Sequence, residues 1–170
     1  MCENTCCFVG HRKIEDTGEL RTKVIEIIEN LIIKEKVDTF LFGSKSEFDT
    51  LAWKIVTQLK IKYPFIKRVY VRSAFQYISS SYQEYLRSEY EQTYFPKSVQ
   101  KAGKCAYIKR NYEMIDSCLF CVFYYNPNYL SPLKKPPKHS VNLPKRVNSG
   151  TKIAFNYAIK KQKEIINLFK

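Results

Sequence analysis

The strongest constraint on this chain is an alternation. Short apolar runs, each closed by a glycine or a polar turn, alternate with longer stretches whose apolar residues recur every three or four positions. The runs are Thr5–Gly10 (TCCFVG), Asp38–Gly43 (DTFLFG), Lys67–Arg72 (KRVYVR), Leu119–Tyr125 (LFCVFYY) and Glu164–Phe169 (EIINLF). Leu119–Tyr125 is nearly continuous in apolar residues, as a strand covered on both faces requires. Leu20, Val24, Ile27, Ile28 and Leu31 fall at helical spacing. They predict an amphipathic helix over 17–35, with Asp16 and Glu19 resembling a capping box. Ser46 with Asp49 reads as the cap of a second helix, which carries Phe48, Leu51, Ala52, Ile55, Val56 and Leu59 and ends before Pro64. Residues 109–117 are expected to form one or two helical turns, and 149–161 the last helix. Strands alternating with helices imply a parallel sheet with right-handed crossovers. The expected fold is therefore α/β: a single Rossmann-like three-layer domain over 1–170, with about five mainly parallel strands flanked by helices.

Two segments depart from the pattern. The first is an insert over about 77–104, with Tyr77, Tyr82, Tyr85, Tyr90 and Tyr94 at partly helical spacing among acids and serines. Such a stripe reads as a packing face before it reads as a base-stacking platform. The second, 126–148, holds five of the seven prolines and the cations Lys134, Lys135, Lys138, Lys145 and Arg146, with no acid. It is expected to be a mobile basic loop between the fourth strand and the last helix.

The formal net charge of +13 over 170 residues favours an anionic partner. Nucleotide, single-stranded nucleic acid and a basic surface without any ligand all stay open. No apolar run approaches the roughly 18–20 residues needed to cross a bilayer. The N-terminal residues lack the basic-then-apolar order of a signal peptide. A cytoplasmic location with no membrane partner is the resulting expectation. The six cysteines fit it as buried free thiols. Cys118 and Cys121 have the spacing of a metal or redox pair, but residues three apart on a strand should face opposite sides. With only two histidines in the chain, no metal is expected, and no cofactor.

In an open parallel sheet, ligands bind beyond the carboxyl ends of the strands. That rule selects Gly10, His11 and Arg12 after the first run, and Gly43, Ser44, Lys45, Ser46, Glu47 and Asp49 after the second. It adds Arg72 after the third and Asn126 after the fourth. Ser149, Gly150 and Thr151 open the last helix, where unpaired backbone N–H groups and the positive helix end suit phosphate. Gly43 allows close backbone approach or positive φ. Arg12, Arg72 and Arg110 offer bidentate contacts to phosphate or carboxylate, and Arg110 reaches the crevice by folding back over the fourth strand. His11 is a candidate acid or base.

The ordered set CCFVGHR, FLFGSKSEFDTLAW, RNYEMIDSCLFCVFYYN and SGTKIAFNYAIKKQKEIIN resembles the SLOG superfamily, most closely its YpsA-like branch, over nearly the whole chain. The superfamily joins the DNA-processing protein DprA with the Lonely guy (LOG) hydrolases. The resemblance implies a Rossmann-like fold that binds nucleotides or their derivatives, with signalling or defence as a role, and a homodimer, since LOG-like relatives are commonly dimers. It also implies two alternatives: LOG-like cleavage of the N-glycosidic bond of nucleoside monophosphates, and DprA-like binding of single-stranded DNA. Arg110, Met114, the apolar strand and Gly150-Thr151 follow the LOG order. The paired glycines are missing, however, and Ala154 stands where the LOG pattern has its glutamate. Glu47 and Asp49 are the candidate catalytic carboxylates in its place.

Overall fold

The computed structural model of the chain describes residues 2–74, 76–130 and 149–169. The cations of the proline-rich loop lie outside the described residues. The elements run β1 (Cys2–Gly10), α1 (Gly18–Ile33), β2 (Thr39–Phe42), α2 (Glu47–Lys62), β3 (Lys67–Val71), α3 (Ser80–Glu89), β4 (Gln92–Tyr94), α4 (Lys97–Gln100), α5 (Ala106–Asp116), β5 (Cys118–Tyr124), α6 (Gly150–Lys160) and β6 (Glu164–Asn167). One six-stranded sheet has the order β4-β3-β2-β1-β5-β6, and every pairing in it is parallel. The extra strand relative to the sequence reading is β4. It lies inside the tyrosine-rich insert and adds to the edge of β3.

Over most of their length the strands sort their side chains by alternation. On β1, Cys6 and Phe8 enter one core with α1 and α2, while Cys7 and Val9 enter the other with α5 and α6. The first core is aromatic at its centre, with Phe8 stacked on Phe40 and Phe42 and edge-on to Phe48. The second is lean against its helices, which present Met114, Ile115, Ala154 and Ala158.

Three local expectations need correcting. The cap of α1 is Thr17, whose hydroxyl accepts from the Leu20 N–H, and not an Asp16–Glu19 box. Asp16 instead binds Arg21 through both carboxylate oxygens. α5 is a full 11-residue helix and not one or two turns. Finally, Cys118 and Cys121 do not face opposite sides. Their sulfurs are 3.6 Å apart, because the alternation breaks at the start of β5: Cys118 joins the core of Cys121, and Leu119 packs against the other. The cap of α2 is as expected, with Ser46 accepting from Asp49 N–H.

Candidate functional site

The chain starts at the middle strand, winds outward through β2, β3 and β4, then returns to the other side of β1 with β5. Strand order therefore reverses between β1 and β5, which is where an open α/β sheet forms a crevice at its carboxyl edge. A crevice of about 1200 Å³ opens there, and its lining reaches from Gly10–Arg12 and Gly43–Ser46 to Arg110 and Ser149–Thr151.

His11 follows β1 directly and is 2 % exposed. Its Nε2 accepts from the Asn126 N–H at 2.9 Å, closer than its 3.3 Å contact with the Asn126 carbonyl, which places the ring proton on Nδ1, without a partner among the described residues. The ring stacks on Tyr129 with centroids 3.9 Å apart. Burial pushes its pKa below the usual histidine value. The neutral ring is thus a fixed donor at the crevice wall. Asn126 is not part of that wall; its backbone orients His11.

Arg110 reaches the crevice because of Gly43. A Cβ at residue 43 would lie 2.6 Å from Arg110 Cδ, 2.8 Å from its Nη1 and 2.8 Å from Met114 Sδ. Gly43 does not have positive φ, so its role is to leave space and not to relax the backbone. Arg110 is 2 % exposed, its Nε donates to Asn111 Oδ1, and its Nη1 has no partner among the described residues. Gly10 works the same way for α2, since a Cβ there would sit 2.4 Å from the Phe48 ring.

Below the Gly43–Ser46 turn lies Asp49, 3 % exposed, with Oδ1 unpartnered. Burial raises its pKa to about 7, against the lowering effect of the Arg110 charge and of the Gly43 and Ser44 amides. The turn itself is braced by the Ser44 hydroxyl, which donates to Ser46 Oγ and accepts from the Ser46 N–H. Glu47 points elsewhere. It pairs with Lys13 and accepts from the Ile14 N–H, and it does not line the crevice. Neither candidate catalytic carboxylate therefore lines the crevice, although Asp49 is just beneath it.

At the opposite wall, Ser149 Oγ caps α6 by accepting from the Lys152 N–H. No described residue lies within 4 Å of a Cβ added at Gly150. Thr151 and Ala154 turn toward the sheet and are buried. Arg12 and Lys45 are exposed at the rim, and Arg72 lies over the Phe95 ring. Tyr70, Tyr77, Tyr82, Tyr107 and Tyr129 line the remaining wall.

The tyrosine stripe splits, and it is not the single packing face expected from sequence. Tyr90 packs against Phe42, Trp53 and Tyr70 in the core, while Tyr77 and Tyr82 face the crevice. Sequence reasoning also missed Tyr107 and Tyr129 as lining residues. Tyr129 carried a signal in hindsight, since it lies three residues after Asn126 at a strand's carboxyl end.

Among the described residues that line the crevice none is acidic, and Arg12, Lys45, Arg72 and Arg110 are basic. No helix among the described residues is long and apolar enough to cross a membrane. No protein-family model matches the chain, and no curated protein matches it.

Proposed function

We propose that the chain binds a nucleotide or nucleotide-derived ligand in this crevice, as a protein of SLOG type. The observation that carries the reading is a lining with no carboxylate among the described residues, in which two buried donors without a described partner, Arg110 Nη1 and His11 Nδ1, share the crevice with two capped helix ends and with tyrosine rings. Donors and helix ends suit phosphate oxygens. Tyrosine faces suit a base.

The α2 and α6 ends follow β2 and β5, which flank β1 on either side. The two strands lie two spacings apart, roughly 10 Å, and α2 and α6 pack on opposite faces of the sheet, which parts their ends further. A phosphate at each end belongs to a ligand whose phosphates are parted by a sugar or base, and not to a polyphosphate tail. Isothermal titration checks this with nucleoside mono-, di- and triphosphates, a nucleoside 3′,5′-bisphosphate and dinucleotides. The bisphosphate and dinucleotides are expected to bind tightest, and absence of binding at millimolar ligand removes the reading.

Hydrolysis of the N-glycosidic bond has less to support it. Its oxocarbenium-like transition state needs a carboxylate beside the sugar, and the described residues of the lining offer none, with Asp49 covered by the turn above it. Release of free base from nucleoside monophosphates, followed by chromatography, would revive it.

A further inference from the structure

Three of the six cysteines meet at one point in the core, away from the crevice. Cys7 of β1 and Cys121 of β5 are direct partners in the parallel ladder, with sulfurs 3.7 Å apart. Cys118 Sγ lies 3.6 Å from Cys121 Sγ. All three sulfurs fall within 4.8 Å of one another, and each residue is 0 % exposed. Regular alternation on β5 would have separated Cys118 from Cys121. The irregular start of the strand is what turns Cys118 onto the face of the other two.

We propose that Cys7, Cys118 and Cys121 bind one soft d10 metal ion of the monovalent copper class through three sulfurs. A metal–sulfur bond of about 2.3 Å sets sulfurs roughly 3.8–4.0 Å apart in a tetrahedral or trigonal site. The trio needs to shift by only a few tenths of an ångström on its two short sides to meet that spacing. No histidine, cysteine or carboxylate among the described residues makes a fourth ligand, and full burial keeps bulk water away. Zinc in structural sites takes four ligands, whereas soft thiolates select monovalent copper. Lys163 Nζ donates to the Cys118 carbonyl and brings positive charge to a site where thiolates form. Binding changes no oxidation state: each thiol that ligates releases its proton to solvent as the metal–sulfur bond forms. The ion would tie β1 to β5, the two strands that flank the crevice.

The test uses the full chain, reduced and free of oxygen, titrated with monovalent copper held by a competing chelator. Native mass spectrometry is expected to show one retained copper. X-ray absorption is expected to show three sulfur neighbours near 2.3 Å. Cys118→Ala and Cys121→Ala should each weaken retention at least a hundredfold, while Cys105→Ala, at an exposed position, should leave it unchanged. Circular dichroism reports whether the core variants fold. If they do not, the absorption spectrum of the parent chain decides alone. No retained copper, copper with two sulfur neighbours, or a disulfide within the trio in place of the metal overturns the proposal.

Discussion

The two glycine-bearing turns at the crevice look alike in sequence and do opposite work. Gly43, after β2, is walled in by Arg110 and Met114, and it makes room for the buried guanidinium. Gly150, the first residue of α6, has no described residue within 4 Å of an added Cβ. Both precede or open a helix capped by a serine one to three residues away. The lesson is that a small residue at a strand-to-helix turn shapes a crevice in two ways: by adding no bulk at the helix end, as at 150, or by admitting a side chain from elsewhere in the chain, as at 43.

The largest effect that tests this contrast is Gly43→Ala. The added methyl overlaps Arg110 and Met114, so a loss of about 1–3 kcal/mol in stability is expected by chemical denaturation. A fall in nucleotide affinity of at least tenfold should accompany it as Arg110 is displaced. Unchanged stability and binding would break the comparison.

The second test is the pH dependence set by Asp49. Native Asp49 holds its proton up to about pH 7, whereas in the unfolded chain it loses the proton near 4. Between those values the folded state binds more protons, so stability from this group falls as pH rises and levels off above about 7. Its negative charge beneath the turn also opposes an anionic ligand above that pH. Asp49→Asn keeps an oxygen acceptor and removes the charge. It is expected to flatten both profiles and to exceed the parent in stability at pH 8, by on the order of 1–2 kcal/mol. His11 acts in the other direction. Burial depresses its pKa, so its contribution is lost as pH falls below the unfolded value of about 6.5. Denaturation curves at pH 5, 6, 7 and 8 separate the two.

Ser46→Ala and Ser149→Ala remove the caps of α2 and α6, each worth about 1 kcal/mol. Ser46→Ala should cost more, because its hydroxyl also braces Ser44 and is 7 % exposed. Equal costs, measured by thermal melting, would erase that asymmetry. The smallest effect is Gly150→Ala, expected to leave stability within about 0.5 kcal/mol or to raise it slightly, since alanine is the better helix residue and space is open.

The parallel fold was legible because its strands are apolar runs, and burial on both faces demands that composition. β4 was not. Its three residues, Gln92-Thr93-Tyr94, are not buried, and its place depends on neighbours. One of these is Glu91, which burial would raise but which Arg68 holds down to a pKa of about 2 while binding it through side chain and backbone. At the crevice, the strand-end rule located Gly10–Arg12, Gly43–Ser46 and Ser149–Thr151. It could not reveal that Gly43 exists for Arg110, since 67 positions separate residues whose clash only three dimensions expose. The face shared by Cys118 and Cys121 was hidden for a related reason: period-two reasoning assumes a strand regular from its first residue, and β5 is not.

The central place of β1 has a consequence in time. Among the strands of this sheet it comes first in sequence and gains its β2 partner within about forty residues, yet its other edge waits for β5, which starts at Cys118. Loop-closure entropy makes so distant a pairing slow to form. Until it does, one side of the nascent sheet is an open template of backbone donors and acceptors. The second half of the sheet is therefore the step that closes folding, and a chain arrested before β5 presents this edge to every other chain around it.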